Sequence, residues 1–215
     1  MIVPARFGPH GWMFVLVCLL ASTSCSFGAS RQPTTTTGPP PPPAIPAVAL
    51  DAYARAGRPC PGVDWATLAG IGKVETDHGR IFGGSLDTDG NVTPQILGPP
   101  LDGTGVRGNT TPLPAGDWTG QYGIEGQWLQ AVGPMQFLPD SFEIHGADGN
   151  DDEVADPHNI YDAVASAVAL LCDRPVEEGQ PLEDVLLRYN NSTEYQRQVV
   201  GWANRYRNAT LSLSS

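Results

Sequence analysis

The sequence predicts a mainly α-helical domain that carries one long, loop-rich insertion. Four segments space their apolar residues as buried helix faces do, and no segment alternates apolar and polar residues over the length of a convincing strand. Between Gly83 and Gly126 the composition changes to Gly, Pro, Asp, Asn and Thr, with turn signals such as Asp89-Gly90-Asn91. A loop region of this length inside a compact domain is usually functional or disordered.

The N-terminal segment has the order of features of a secretory signal. A basic residue, Arg6, precedes the apolar stretch 12–21, and small residues lead from there to Cys25. The apolar stretch is about ten residues long, whereas a membrane-spanning helix needs roughly 20. We therefore expect residues 1–28 to be a signal peptide and the mature protein to be exported.

Cys25 leaves two alternatives open. The residues Thr23-Ser24-Cys25 fit the end of a bacterial lipoprotein signal, but Ser22 occupies the position where leucine is usual. Either Cys25 becomes a lipid-modified N-terminus, or ordinary cleavage nearby releases a soluble product. In the first case the lipid anchor would be the protein's sole attachment to a membrane.

A spacer and a single domain follow the signal. Residues 29–47 are rich in Pro and Thr, contain almost nothing to bury, and favour an extended polyproline II tether. Residues 48–215 are one domain's worth of chain and are long enough to bury a core. We expect this domain to be a monomer.

The chain is acidic. Its formal net charge is −11, and residues 1–47 contain two arginines and no acid, so residues 48–215 carry −13 by the same count (−11 − 2). Because the phosphate backbone attracts cationic proteins, this charge argues against nucleic acid as a partner.

The cysteines predict one disulfide. Cys18 and Cys25 belong to the signal segment, which leaves Cys60 and Cys172 in the domain. In an oxidising compartment an even number of cysteines favours pairing, and we predict the bridge Cys60–Cys172. Two buried free thiols are the alternative.

The first strong helix carries Glu75. The helix is predicted from about Asp64, a suitable N-cap, to Asp77, and a shorter helix is predicted before it over residues 48–56. A carboxyl group at the end of an apolar helix can stay protonated near neutral pH and act as a general acid. The buried face of this helix is formed by Trp65, Leu68, Ala69 and Ile71.

Three further helices are predicted toward the C-terminus. One begins at Asn159, whose side chain can cap the N-terminus of the helix. The side chain of Asp162, three positions later, can complete a reciprocal capping box. Another has Pro181 at its first helical position, and the last is capped by Ser192. The last two form a short helical hairpin, and the apolar residues of the final helix are Tyr195, Val199, Trp202 and Tyr206.

Two segments outside the first helix offer side chains that could bind a polar ligand. In the turn 133–139 the Gln136 amide can form two hydrogen bonds to a ligand, although a turn leading into a core helix, with Phe137 in the core, explains this segment better when it is taken alone. Tyr189 and Asn190 lie near the other end of the domain, where a core tyrosine and a capping amide are the structural explanations.

Taken together, these segments match one family pattern, in the order of that family: Val74-Glu75-Thr76 with Gly79-Arg80, Ala131-Val132-Gly133-Pro134-Met135-Gln136-Phe137-Leu138-Pro139, Asp156-Pro157 with Asn159 and Asp162-Ala163, and Tyr189-Asn190. With them the chain resembles the lytic murein transglycosylases with a lysozyme-like domain, most closely the membrane-bound lytic transglycosylase B type and its actinobacterial relatives. The resemblance spans roughly Val48 to Tyr206.

The resemblance implies a mostly helical, lysozyme-like fold of the goose-type and lytic transglycosylase kind, with a cleft that grips the glycan strand of peptidoglycan. In that family one glutamate, here Glu75, protonates the glycosidic oxygen between N-acetylmuramic acid and N-acetylglucosamine, assisted by the 2-acetamido group. The glutamate then takes the proton of the C6 hydroxyl as this hydroxyl closes on C1. The product is a 1,6-anhydromuramoyl end, no water is consumed, and no cofactor is required.

The resemblance also implies roles for three substrate-binding residues. Gln136 would bind the acetamido or nearby hydroxyl groups, and Tyr189 and Asn190 would line the cleft close to the acid. The site of action would be the cell envelope, with the protein either membrane-anchored or secreted.

Two alternative functions stay open. A muramidase that hydrolyses the same bond would need a second carboxylate to position water, and Asp77, Asp87 and Glu125 are available without a motif of their own. Asp77 is a poor partner, because residues two apart on a helix point away from each other. The other alternative is a cell-wall-binding lipoprotein with this fold and no turnover.

An acidic loop has calcium-like spacing. Its oxygen ligands would stand at loop positions one, three, five, seven and nine, the seventh as a main-chain carbonyl. Glu153 replaces the turn glycine of an EF-hand, and Asn159 stands where a glutamate would close the site. Calcium is one interpretation, and a solvated acidic turn before the next helix is the other. The candidate ligands are Asp148, Asn150, Asp152, Val154 and Asp156.

Overall fold

The computed structural model describes residues 44–105 and 109–213, with side chains described as far as residue 209. The predicted signal peptide, Cys25 and the predicted tether before residue 44 lie outside the described residues. The described residues all belong to one compact unit. Within these ranges, no helix combines the length and the apolar character needed to cross a membrane.

Helices dominate the described part of the chain. Two short strands, β1 (Ser85–Leu86) and β2 (Val92–Thr93), pair antiparallel with Leu86 opposite Val92. The prediction of a mainly α-helical fold is therefore confirmed. The helices are α1 (Ala47–Arg55), α2 (Trp65–Thr76), α3 (Pro139–His145), α4 (Ile160–Leu171), α5 (Leu182–Leu186) and α6 (Thr193–Leu213).

Helix α2 is the centre of the packing. The residues from Ala66 to Gly72 are all buried, and the helix packs chiefly against α6. At Gly70 an added Cβ would lie 2.7 Å from the carbonyl oxygen of Val199, so glycine is required for the two backbones to approach this closely. Because α2 is enclosed, its last turn, which includes Glu75, has a fixed place in the domain.

The start of α2 is held by Asp64, as predicted. Its Oδ1 accepts a hydrogen bond from the Thr67 N–H at 2.9 Å, and Arg207 of α6 donates to both carboxylate oxygens at 2.7 and 2.8 Å. Burial opposes ionisation of Asp64, but the hydrogen bonds from Arg207 and Thr67 outweigh it and lower the pKa of this carboxyl. The contact fastens the N-terminus of α2 to α6.

We expect Asp64→Asn to lower the free energy of unfolding at neutral pH by about 1–3 kcal/mol, because the variant weakens a helix cap and leaves Arg207 without its charged partner. A carboxyl whose pKa is lowered by folding contributes stability above its unfolded pKa of about 3.9 and loses it as the pH falls through the lower folded value. The difference between wild type and variant should thus shrink below about pH 4. Denaturant titrations at several pH values measure this, and an equal difference at all pH values would contradict the assignment.

The predicted caps of the later helices are partly confirmed. The Asn159 side chain accepts a hydrogen bond from the Tyr161 N–H at 2.9 Å, and Ser192 Oγ accepts one from the Tyr195 N–H at 3.4 Å. Pro181 is the N-cap of α5 and not its first helical residue. The predicted capping box at Asn159 is wrong in its second half, because the Asp162 carboxylate accepts from the N–H groups of Gly149 and Asp156 instead.

The insertion between Gly83 and Gly126 is folded against the segment that follows it. Main-chain hydrogen bonds of 2.8–2.9 Å join Leu101 to Leu129, Leu113 to Leu101 and Leu129 to Leu113. Ile96, Ala115 and Ile124 contribute buried side chains. The described part of the insertion is therefore a packed irregular structure whose pairing brings it to the chain just before Gly133.

The structure contains the predicted disulfide. Cys60, between α1 and α2, is bonded to Cys172, the residue that ends α4, and their Cα atoms are 6.0 Å apart. The bridge connects positions 112 residues apart in sequence. It therefore ties the approach to the central helix to the late helical part of the domain.

Candidate active site

Glu75 lies at the end of the central helix. It is the last but one residue of α2 and is half-buried. The chain then turns sharply, because Asp77 and His78 both adopt positive φ angles, 52° and 61°, before Gly79. The prediction that Glu75 is carried by a packed helix just before a glycine turn is confirmed.

Two tyrosines from the C-terminal part of the chain interact electrostatically with the Glu75 carboxylate. Burial and then the negative charge of Glu75 raise the pKa of the hydroxyls of Tyr189 and Tyr195 well above the usual value. Their rings stack at a centroid distance of 6.3 Å with planes 6° apart. Both hydroxyls thus stay protonated and remain hydrogen-bond donors at any physiological pH.

Tyr195 is the site residue that sequence reasoning missed. The charge of Glu75 acts on its buried hydroxyl, which has no hydrogen-bond partner among the described residues. A hydroxyl of this kind is available to bond the carboxylate when a substrate brings the two groups closer. The sequence shows Tyr195 only as one residue of an apolar helix face, and no local signal separates it from the other residues of that face.

The turn at residues 133–137 is fastened to the end of α2. Thr76 Oγ1 donates to the carbonyl oxygen of Pro134 at 2.5 Å and accepts from the Gly79 N–H at 2.8 Å. Gly133 has a φ of 76°, and an added Cβ there would lie 1.7 Å from the Pro157 carbonyl oxygen, so no other residue fits. The turn is closed by a hydrogen-bond pair between Val132 and Phe137 at 2.8 and 3.0 Å.

Tyr189 connects this turn to Glu75. Its hydroxyl donates to the carbonyl oxygen of Met135 at 2.6 Å, and its ring and that of Phe137 form a T-shaped pair with centroids 5.7 Å apart. Phe137 is buried, as predicted for a core residue. The structure therefore brings together Glu75, Tyr189 and the turn that carries Gln136.

Gln136 and Asn190 lie at the edges of this group. Gln136 is half-buried, its Nε2 donates to the Gly133 carbonyl oxygen at 3.1 Å, and its Oε1 would be 2.8 Å from a Cβ added to Gly98 of the insertion. Asn190 follows α5 directly after Tyr189 and is exposed to solvent. Its side chain therefore lies outside the core against which Tyr189 packs.

Residues 115–184 match the family model of the transglycosylase SLT domain. The matched segment is 70 of the 215 residues, about a third of the chain. The match includes Gln136 and the acidic loop, and it confirms both the resemblance to lytic transglycosylases and the predicted class of enzyme. It does not distinguish the membrane-bound B type from other members.

Solved structures of lytic transglycosylases are similar to the chain at low identity. SltB1 from Pseudomonas aeruginosa, in a catenated form, is 15% identical with a TM-score of 0.48, covering 77% of this chain and 80% of that one. Slt35 from Escherichia coli in complex with calcium is 16% identical with a TM-score of 0.49, and the similarity covers 77% of this chain and 72% of that one. Slt35 in complex with bulgecin A is 14% identical with a TM-score of 0.47, and the similarity covers 77% of this chain and 71% of that one. No curated protein sequence matches the chain.

The carboxylates proposed as a second catalytic group have other partners. Asp77 forms hydrogen-bonded ion pairs with Lys73 and Arg80. Burial opposes ionisation of its carboxyl, but the hydrogen bonds from these two residues hold its pKa below the usual range. Hydrogen bonds from Asn91 lower the pKa of Asp87, which caps its own exposed turn. Glu125 is exposed.

The acidic loop, which lies inside the segment matched by the family model, is organised around main-chain N–H groups. Asp148 accepts hydrogen bonds from the N–H groups of residues 150–153, and Asp152 accepts from the Val154 N–H and the Asn150 amide. Burial raises the pKa of Asp162, which binds two further N–H groups of the loop. Among the described residues there is no group of three or more His, Cys, Asp or Glu side chains that could hold a metal ion. Calcium binding stays a prediction.

Proposed function

We propose that this protein is an exported lytic transglycosylase that cleaves the bond between N-acetylmuramic acid and N-acetylglucosamine in peptidoglycan and forms 1,6-anhydromuramoyl ends. The observation that carries the proposal is the setting of Glu75: one half-buried carboxylate at the end of a packed helix, whose charge acts on the buried hydroxyls of Tyr189 and Tyr195. The SLT family match supports the substrate class.

The proposed reaction uses the Glu75 carboxyl twice. In the first step it gives its proton to the glycosidic oxygen as the bond from this oxygen to C1 of the muramic acid breaks, and the 2-acetamido group supports the developing positive charge. In the second step the Glu75 carboxylate takes the proton of the C6 hydroxyl as O6 forms a bond to C1. The proton count on Glu75 is then restored, and no water enters the product.

Tyr195 is proposed to orient the carboxylate for both steps. Because its hydroxyl is buried and protonated, it can donate a hydrogen bond to Glu75 when the carboxyl group is ionised, and this bond favours the form that accepts the C6 proton. Tyr189 has a different task, since its hydroxyl is already bonded to Met135 and holds the Gln136 turn in place.

We expect Tyr195→Phe to lower kcat by about 10- to 100-fold, the equivalent of one hydrogen bond to a charged group. The Tm should change by only a few degrees, because the phenyl ring retains the stacking on Tyr189. Steady-state assays on purified peptidoglycan give kcat, and a thermal melt gives the Tm. Full activity in a folded variant would remove Tyr195 from the site.

Substrate contacts are proposed for three residues. The exposed Asn190 amide can bind sugar hydroxyls, and Gln136 can present its amide between the Gly133 turn and Gly98. The ring of the half-buried Tyr189 can contact a sugar. The approach of Gly98 to Gln136 supports the hypothesis that the insertion lines the cleft and shapes the choice of product.

A hydrolase acting on the same bond is the rival. Incubating the purified protein with peptidoglycan and weighing the released fragments by mass spectrometry distinguishes the alternatives, because anhydro ends are lighter than reducing ends by one water. Reducing ends would show a muramidase, and no release would indicate a binding protein without turnover.

The envelope location is proposed from the signal segment. Residues 1–28 would direct export, and Cys25 would carry a lipid anchor or precede a soluble product. Membrane and soluble fractions of wild type and Cys25→Ala decide between the two. If the wild type is lipid-anchored, the substitution should shift the protein from the membrane fraction to the soluble fraction, whereas a soluble product should show no shift. The anchored or secreted protein would act as a monomer.

A further inference from the structure

The turn after Glu75 has a backbone that needs support. Asp77 and His78 both have positive φ angles, a conformation that residues with side chains adopt at an energetic cost. Two such residues in succession follow the last turn of α2. A strained segment of this kind persists only where its surroundings determine it, and such segments cluster at functional sites.

His78 is fixed through both its side chain and its main chain. The side chain is fully buried, with Nδ1 3.0 Å from the Tyr53 hydroxyl and Nε2 2.9 Å from the Tyr206 hydroxyl. Its main-chain N–H donates to the Gly72 carbonyl oxygen at 2.8 Å. Burial, and then the charge of Arg80, lowers the pKa of His78 to about 4, so the ring is neutral and one nitrogen donates while the other accepts.

The two tyrosines come from different helices. Tyr53 belongs to α1 and Tyr206 to α6, so His78 joins both helices to the end of α2. An added Cβ at Gly72 would lie 2.0 Å from the Tyr53 hydroxyl, which shows how closely this hydroxyl passes α2. Gly72 and His78 enclose the last turn of the helix, and Glu75 stands midway between them.

We propose that His78, held between Tyr53 and Tyr206, is a positioning residue for Glu75. It locks the last turn of α2 so that the carboxylate keeps its orientation toward Tyr189 and Tyr195. A neutral imidazole suits this task because its two nitrogens lie on opposite sides of a rigid ring and can bond two helices at once. The inference rests on the proposed function, since it assigns His78 to the same reaction.

The test compares three Tyr→Phe variants of the full-length protein. Tyr53→Phe and Tyr206→Phe each remove one hydroxyl from His78, whereas the control, Tyr161→Phe, removes a hydroxyl that bonds Asp51 on α1 at 3.0 Å. Well below the Tm of each protein, we expect the first two variants to lose about tenfold or more in kcat with KM within about twofold. The control should keep kcat within about twofold of wild type.

A second readout does not depend on activity. The carbon-13 resonance of the Glu75 side-chain carboxyl, assigned by its loss in Glu75→Gln, should shift in Tyr53→Phe and stay in place in Tyr161→Phe. Unchanged kcat and an unchanged resonance in Tyr53→Phe and Tyr206→Phe would overturn the inference, as would equal losses in the control. A shifted resonance in a protein whose wild type releases no fragments would refute the proposed function while supporting the positioning role.

Discussion

Glu75→Gln is expected to lose nearly all turnover of peptidoglycan, by about 10³-fold or more. A general acid contributes roughly 10²- to 10⁴-fold, and here the same group would also be the base, so its loss removes both proton transfers. Glutamine keeps the shape and the hydrogen-bonding capacity of the side chain but cannot give up a proton to the leaving oxygen. Fragment release from purified peptidoglycan measures the effect.

The matched control for this variant is Glu125→Gln, the same change at an exposed glutamate. Its loss should leave both the stability and kcat largely intact, because substitutions at exposed positions usually have small effects. Thermal melts should show Glu75→Gln folded near the wild-type Tm. Substantial turnover by a folded Glu75→Gln protein would end the assignment of Glu75 as the catalytic acid.

The second large effect is expected on stability. Replacing both Cys60 and Cys172 by serine should lower the free energy of unfolding by about 4–5 kcal/mol, the value that chain entropy gives for a closed loop of roughly 110 residues. Small domains have total stabilities of about 5–15 kcal/mol, so the loss would be a large share of the total. Denaturant unfolding of the variant and of wild type measures the difference.

Reduction of the wild-type protein by dithiothreitol is the control, because it opens the same bridge without changing the sequence. It should lower the stability by a similar amount and leave the serine variant unaffected. Glu75 lies ten residues beyond Trp65, about 15 Å along the axis of α2, so kcat should be retained while the variant is folded. A change in stability below about 1 kcal/mol would show that the bridge does not constrain the unfolded chain as assumed.

Local features of the sequence predicted the parts of the site that lie on regular structure. The apolar spacing after Asp64 determined α2 to within one residue at each end, because capping and burial act over a few positions. Since Glu75 stands on this helix, its place followed. The cysteine count predicted the disulfide because the two cysteines of the domain leave one possible pairing.

Long-range contacts could not be predicted in the same way. Tyr195 has the spacing of a core residue, and only the folding of α6 against α2 brings its hydroxyl to Glu75. Asp162 has the position of a capping residue, but its carboxylate accepts hydrogen bonds from N–H groups of the acidic loop instead. The insertion has no hydrophobic period, and its order comes from main-chain pairing with a later segment.

The most direct test of the central claim is digestion of peptidoglycan in water enriched in oxygen-18, followed by mass spectrometry of the released ends. A lone Glu75 that acts first as acid and then as base uses the substrate's own C6 hydroxyl, so the account predicts anhydromuramoyl ends without the oxygen-18 label. Released reducing ends that carry one oxygen-18 atom would contradict it, because they would show that water is the nucleophile.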